Sequence, residues 1–337
     1  MGIKDLNKFI KTFAPGAIKR ENISTYKGKT LVVDTSIFLY KFKYSYKLLD
    51  SFLQQYYHFK KEGVELIYVF DGKPPKEKEF ILASRKQNKI KQNSKIETME
   101  KDRDNIIPTD EEALKEMDMK ISEAKRKNIN ITKEDIINVK RLFDILGVKY
   151  IHHNCEADLV CCDLYKRDKV YGCISNDMDF LPSGTGVLIR NYNLSDMIDE
   201  YRLEPILQES ALSYDKFVDL CILCGCDYTT KIPRLGFVTA YKKLLKYDNI
   251  ESIIENLESK FKVPENFNYK TARKLLKDEK DNVEGTESNK DTEMEFKIFN
   301  EEFKKDTENE AENIKFILDN TRYTPSKLND RLKIIYE

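Results

Sequence analysis

Net charge is what this 337-residue sequence most plainly lacks, with 58 lysines and arginines against 58 aspartates and glutamates. A uniformly mixed surface exerts no long-range pull on a polyanion. Whole-chain charge therefore gives no reason to expect a nucleic-acid or membrane partner, and any binding of phosphate must come from charge segregated along the chain. Also missing are an apolar run long enough to cross a bilayer and a hydrophobic signal region at the N-terminus. The start Met1-Gly2-Ile3-Lys4-Asp5-Leu6 fails the myristoylation pattern, because position 6 is neither Ser nor Thr. A soluble intracellular protein is expected. An odd count of seven cysteines (155, 161, 162, 173, 221, 224 and 226) without a secretory signal argues against a disulfide framework. Cys221-x-x-Cys224-x-Cys226 invites a zinc site completed by Cys155, Cys161, Cys162, His152 or His153. The preferred reading is small buried thiols, since Cys221 and Cys224 lie in the apolar run Phe217–Cys224. There are no internal repeats.

What is present is enough chain for one large α/β core or two ordinary domains. Four short runs rich in β-branched or aromatic residues read as buried strands: Thr30–Val33, Glu65–Phe70, Val148–Ile151 and Tyr171–Ile174. Long helical patterns separate most of them, which implies a mostly parallel sheet with helices on its faces. From Thr132 to Leu146 the apolar residues recur at helical spacing, with Thr132 and Asp135 as an N-terminal cap and Gly147 as a stop. Two stretches break the charge balance. Lys73–Lys95 holds eight basic and two acidic residues, and Lys277–Glu312 holds fourteen acidic and six basic. The second includes Asp281–Asp291 and reads as a mobile linker. Glu111–Lys127 is an evenly mixed, solvent-facing helix.

The carboxylates carry the chemistry. Asp34 and Asp71 directly follow the first two strands, Glu156 and Asp158 follow the third, and Asp177 and Asp179 follow the fourth. Asp227 comes after an apolar helix ending at Leu223. Ligands of open parallel sheets bind outside the carboxyl ends of the strands, so these seven acids are expected on one rim. Asp177 and Asp179 share a face if their segment is extended. Glu156 and Asp158 diverge within a helix, so they are placed in the irregular entry to one. A single acid after a strand is as readily a helix cap; acids after four successive strands are not. Packed carboxylates repel and retain protons, a conflict that Mg²⁺ or Mn²⁺ on oxygen-only ligands removes. Two such ions imply metal-assisted hydrolysis of a phosphate ester, and the nearby basic stretch indicates a polyanionic substrate.

These residues resemble the flap endonucleases of the XPG-type 5′ nuclease family. The MGIxxL start, Val32-Val33-Asp34-Thr35-Ser36, Tyr68-Val69-Phe70-Asp71-Gly72-Lys73-Pro74-Pro75, Glu156-Ala157-Asp158, Asn176-Asp177-Met178-Asp179 and Gly225-Cys226-Asp227-Tyr228 match its motifs in order. The resemblance covers residues 1 to about 277 and resumes at Asn313–Ile334. It implies a central, mostly parallel sheet flanked by helices, a PIN-like 5′ nuclease core, with a helical arch and a C-terminal helix-two-turn-helix region. The implied division is a nuclease region over 1–107 that includes the start of the arch, the rest of the arch over 108–131, and a second nuclease region over 132–226. A DNA-binding region over 227–276, an acidic linker over 277–312 and core helices over 313–337 complete it.

The implied activity is structure-specific 5′ flap endonuclease, with 5′ exonuclease, in DNA replication and repair. Asp34, Asp71, Glu156, Asp158, Asp177, Asp179 and Asp227 would hold two Mg²⁺, with Mn²⁺ as a substitute. Lys78 and Arg85 match the basic pair of the first arch helix and would grip the scissile phosphate. Tyr40 would stack on the terminal base, and Gly2 would pack beside the site as the mature N-terminus. Gly236 belongs to the helix-two-turn-helix pattern, where Arg234 stands in place of a Gly and leaves a K⁺ and duplex-phosphate contact open. Asp158 replaces a Glu, and Asn176 an acid. The implied partner is DNA with a 5′ flap or arm, bound by a monomer with an affinity that falls as salt is added. A sliding clamp is left open because no Gln-rich, Phe-Phe clamp-binding peptide is seen. The implied setting is the nucleus in a eukaryote, or the host nucleus or a cytoplasmic replication site for a virus. Alternatives are a sibling 5′ exonuclease, bubble or junction nuclease, and a non-catalytic DNA-junction-binding protein.

Overall fold

The computed structural model describes residues 2–45, 47–74, 78–107, 109–277 and 296–337, with the side chains of residues 80 and 81 excepted. Met1, Pro75 and the centre of the expected linker, 278–295, lie outside the described residues. Eight strands form one sheet: β1 (Ile18–Asn22), β2 (Thr30–Asp34), β3 (Glu65–Phe70), β4 (Lys149–His152), β5 (Gly172–Ile174), β6 (Val187–Arg190), β7 (Met197–Arg202) and β8 (Ile298–Phe299). Their order is β1-β7-β6-β5-β2-β3-β4-β8. The run from β6 to β4 is parallel, whereas β7, β1 and β8 are antiparallel to their neighbours. The four expected strands are the four adjacent strands β5-β2-β3-β4.

The helices are α1 (Leu6–Phe13), α2 (Thr35–Tyr44), α3 (Leu48–Lys61), α4 (Glu79–Asp104), α5 (Glu111–Lys127), α6 (Lys133–Leu146) and α7 (Ala157–Lys166). They continue as α8 (Leu203–Ser210), α9 (Tyr214–Cys224), α10 (Phe237–Lys246), α11 (Ile250–Glu255), α12 (Tyr269–Lys277), α13 (Glu310–Asn320) and α14 (Pro325–Tyr336). Side chains alternate across a strand, and here both faces are buried. Val32, Ile67 and Val69 enter a core with α1, α7, α9 and α10. Leu31, Val33, Leu66, Tyr68 and Phe70 enter another with α2, α3, α6 and α14. Strands buried on both sides read as continuous apolar runs, which is why these four were legible. From β2 the chain steps outward to β3 and β4, then returns across the sheet to β5 on the far side of β2. That reversal opens a crevice at the carboxyl ends of β2 and β5, the usual place for a ligand.

The helix expected from Thr132 is α6. Thr132 and Asp135 form a reciprocal capping box, and Gly147 ends the helix at φ 69°. Leu142, Phe143 and Leu146 on it are buried, each side chain contributing about 1.5–3 kcal/mol. The expected solvent-facing helix is α5, largely exposed along its length, and it folds antiparallel onto α4. Ile96 and Ile121 are buried, and Glu100 pairs with Lys125 at 2.6 Å.

The linker expectation fails at its C-terminal end. Ile298–Phe299 pairs with β4, Phe299 stacks on Tyr150 with centroids 4.8 Å apart, and α13 already begins at Glu310. A count of charges hides the three apolar residues, Phe296, Ile298 and Phe299, that hold this segment to the sheet. Six cysteines are buried and Cys155 is half-buried. Burial pushes the Cys224 and Cys226 thiols up to about 12 and those of Cys161, Cys173 and Cys221 well above the ordinary value, away from the thiolate that zinc needs.

Candidate active site

The first acids are placed by the strand ends themselves. Asp34 closes β2 and caps α2, its Oδ1 accepting from Ser36 N at 3.2 Å and its Oδ2 from Ser175 Oγ at 2.9 Å. Ser175 follows β5, so this bond spans the crevice. Asp71 follows β3; its Oδ1 accepts from Ala157 N at 2.8 Å at the start of α7, and its Oδ2 from the Ser36 hydroxyl. Gly72 makes that approach feasible. Its N–H donates to Cys155 O at 2.8 Å, and a Cβ there would come within 2.2 Å of His153 O. Both aspartates thus act as caps while facing the crevice, so the cap and the functional readings coincide.

Glu156 is the N-cap residue of α7, with φ −65° and ψ 146°, and Asp158 stands in its first turn. This is the irregular helix entry expected. Asp177 and Asp179 depart from expectation, because the chain past β5 bends into a turn rather than running extended. Asp177 N donates to Ser175 Oγ at 3.0 Å, and Asp179 N to Asp177 Oδ1 at 3.1 Å. Convergence therefore comes from an Asx-type turn, not from a strand pleat. Asp227 is delivered past α9 through Gly225, at φ 103°. Gly2 presses on the same acids: a Cβ on it would lie 1.9 Å from Asp177 Oδ1, and the next amide, Ile3 N, donates to Asp179 Oδ1 at 2.8 Å.

All seven acids, with Tyr40, Lys78 and Arg85, line one cavity of about 620 Å³. Burial, then the charge of Asp71, pushes the Asp34 carboxyl up to about 8, against the Ser175 hydrogen bond. Burial likewise raises Asp158 to about 7, with Glu156 and Asp71 adding to it and Lys78 opposing. Asp179 is held well above the carboxylate range by burial, then by Asp177 and Asp227. Lys78, the N-cap residue of α4, donates to Glu156 Oε1 at 2.8 Å and lies 3.8 Å from Asp158 Oδ2. Burial works against its charge, but Asp158 and Glu156 outweigh that and hold its ammonium above the ordinary lysine value. Arg85 Nη2 donates to Asp227 Oδ2 at 2.6 Å.

Sequence reasoning passed over several residues here. The hydroxyls of Ser36 and Ser175 tie the aspartates together, and the Tyr228 ring lies 5.0 Å from the Lys78 ammonium. Ser36 and Tyr228 sit inside the quoted motifs and were findable there; Ser175 carries no such signal. A second cavity of about 370 Å³, under the α4–α5 hairpin, is shared by Tyr40, Tyr44, Arg85, Lys89, Arg126 and Lys127. Lys89 lies one turn beyond Arg85, so helical spacing would have found it. Asn176 turns away from the acids: its Oδ1 accepts from Asn191 N at 2.9 Å. Gly236 is exposed at the N-cap of α10 and does not line the acidic cavity. Arg234 holds φ 65°, the backbone region that suits a glycine.

The donor set fits a hard divalent cation. Every side-chain donor is oxygen, and Glu156 Oε2 is buried without a hydrogen-bond partner. Among the described residues, no three His, Cys, Asp or Glu side chains are drawn close enough to hold a metal as they stand. The Lys78 ammonium and Arg85 guanidinium occupy acid oxygens and supply the positive charge instead.

Models of the XPG N-terminal domain and the XPG I-region match residues 1–93 and 147–227. Flap endonuclease 1 of Entamoeba histolytica is 35% identical over 296 residues, 82% of this chain and 75% of that protein. The catalytic core of Rad2 in complex with DNA substrate shares the fold with a TM-score of 0.69 and 16% identity, covering 99% of this chain and 100% of that one. The junction-resolving enzyme GEN1, in complex with product DNA, Mg²⁺ and Mn²⁺, gives a TM-score of 0.53 at 14% identity over 80% of this chain and 63% of that one. With five ordered acidic motifs on one rim and a relative this similar over most of its length, the chain belongs to the XPG family, as a flap-endonuclease-like, structure-specific 5′ nuclease.

Proposed function

We propose that this protein is a Mg²⁺-dependent 5′ flap endonuclease with accompanying 5′ exonuclease activity, cutting a DNA phosphodiester near the junction of duplex and 5′ single strand during replication and repair. One observation carries the reading: five chain segments bring seven carboxylates, a lysine and an arginine to a single cavity at the sheet's topological reversal. Two Mg²⁺ bound there, or Mn²⁺ in their place, would supply an activated water and charge on the leaving oxygen. Asp34, Asp71, Glu156, Asp158, Asp177, Asp179 and Asp227 would hold them. Asp158, one methylene shorter than Glu, suits a water-mediated contact.

Lys78 and Arg85 exchange their carboxylate partners for the scissile phosphate, and Tyr40, 48% exposed at the cavity mouth, stacks on the terminal base. Lys89, Arg126 and Lys127, with Tyr44, line the passage of the single strand beneath the α4–α5 arch. The 227–276 region, including Gly236, contacts the duplex, and the nuclease regions, arch and C-terminal helices divide as the sequence implies. The products are a 5′-phosphate and a 3′-hydroxyl. The protein acts as an intracellular monomer; no helix among the described residues is long and apolar enough to cross a membrane. Adding K⁺ or a sliding clamp to the assay below tests the site near Arg234 and clamp dependence.

Labelled double-flap DNA with Mg²⁺, its product read to the nucleotide beside nicked, bubble and four-way substrates, tests this. Cleavage at the flap base supports it, and preference for another substrate transfers the reading to a sibling nuclease. Asp179→Ala is expected to abolish cleavage while keeping flap affinity; substantial residual cleavage would remove the metal role given to that residue.

A further inference from the structure

The turn that carries Asp177 and Asp179 lies just beyond the last bond of the parallel ladder, Ser175 N to Ile189 O at 3.1 Å. Its own bonds, Asp177 N to Ser175 Oγ and Asp179 N to Asp177 Oδ1, fold it upon itself without tying it to the neighbouring strand. That tie is made at Asn176, one residue before the acids, and it has two points. Arg190, the last residue of β6, donates from Nη2 to Asn176 O at 3.0 Å. Asn191, the next residue, donates its backbone N–H to Asn176 Oδ1 at 2.9 Å.

Both donors are themselves fixed. The Arg190 guanidinium lies over the buried Tyr201 ring, 5.1 Å from its centroid. Asn191 adopts φ 60°, a left-handed conformation in which asparagine is among the few tolerated side chains. Its side chain donates to Asp199 Oδ2 at 2.6 Å, and Asp199 also pairs with Arg20. A strained residue held by a charged anchor is costly to maintain, and its evident effect is to aim one N–H at Asn176. Resting on the nuclease reading above, we propose that Arg190 and Asn191 are positioning residues that clamp Asn176 at its carbonyl and its side chain, and so set Asp177 and Asp179 for divalent-metal binding. Asn in place of an acid at 176 keeps the acceptor oxygen that this clamp uses, which is why the substitution is compatible with an intact site.

The test is Mn²⁺ titration of the DNA-free protein, followed by electron paramagnetic resonance, on Arg190→Met, Asn176→Ala and Asn176→Asp. Loss of an outer partner of a metal ligand costs at least about tenfold in metal affinity. Arg190→Met is therefore expected to weaken Mn²⁺ binding about tenfold and to raise the Mg²⁺ midpoint for flap cleavage similarly, with the rate recovering at saturating Mg²⁺. Flap affinity in Ca²⁺ stays unchanged. Asn176→Ala shifts Mn²⁺ binding the same way, whereas Asn176→Asp, which keeps an acceptor oxygen, stays near the parent. Unaltered Mn²⁺ affinity in both Arg190→Met and Asn176→Ala overturns the clamp. Should Arg190→Met fail to fold, Asn176→Ala decides, because it leaves the guanidinium and the Tyr201 contact in place. A parent that binds Mn²⁺ but cuts no flap DNA would sink the nuclease reading and still leave the clamp measurable.

Discussion

Asp34 and Asp71 each perform two tasks with two oxygens, capping a helix and facing the cavity. The sequence displays the residue type and its position after a strand, so both were legible as candidates. What it does not display is the hydroxyl bridge through Ser36 and Ser175, because serine after a strand has many uses. Gly2 is clearer still once the contact is seen. A methyl group there meets Asp177 Oδ1 at 1.9 Å, at φ 85°. Gly2→Ala therefore has to displace the Asp177 carboxylate, and an error of about 1 Å in a reacting centre costs on the order of 10²-fold in rate. A single-turnover cleavage rate for Gly2→Ala within a few fold of the parent would show that Asp177 tolerates displacement.

Among the elements, those whose faces are both buried announced themselves, and those that gain order from a partner did not. The four central strands are apolar throughout, whereas β1 (IKREN) is half exposed and β8 is two residues long. Their pairing is set by β7 and β4, far off in sequence. Helix α6 was readable to its termini because its caps are local chemistry. Thr132→Ala removes the N-cap acceptor of the Asp135 N–H while leaving the reciprocal bond from the Thr132 backbone N–H to the Asp135 carboxylate, and is expected to cost about 1 kcal/mol. Urea unfolding reads this directly, and an unchanged midpoint would show the box to be redundant with the Lys43–Asp135 ion pair. Helix α5 was legible as a mixed, largely exposed helix, but its packing onto α4 was not, because its one buried side chain, Ile121, lies among charged residues whose partners are on α4.

For the molecule as a whole, the acids make metal-free stability depend on pH. Asp34 at about 8 and Asp158 at about 7 hold protons more tightly than in the unfolded chain, where aspartate titrates near 4. Their contribution is complete below about pH 4 and is lost as pH rises through 7 and 8. In chelator, the thermal midpoint is expected to fall between pH 5.5 and 8.5, and Mg²⁺ to raise it more at the higher pH. Equal Mg²⁺ effects at both would separate these carboxylates from the metal.

The ion pairs of Lys78 and Arg85 with Glu156 and Asp227 have a further consequence. A cation joined to the chain at the foot of the arch is a tethered competitor, present at a high effective concentration set by the hairpin rather than by the solution. On the proposed nuclease reading, the protein would carry its own antagonist of metal loading, to be drawn away by a phosphate when the metal is wanted. Removing that antagonist should pull affinity and rate in opposite directions: Lys78→Ala binds Mn²⁺ more tightly without DNA and yet cuts more slowly with it.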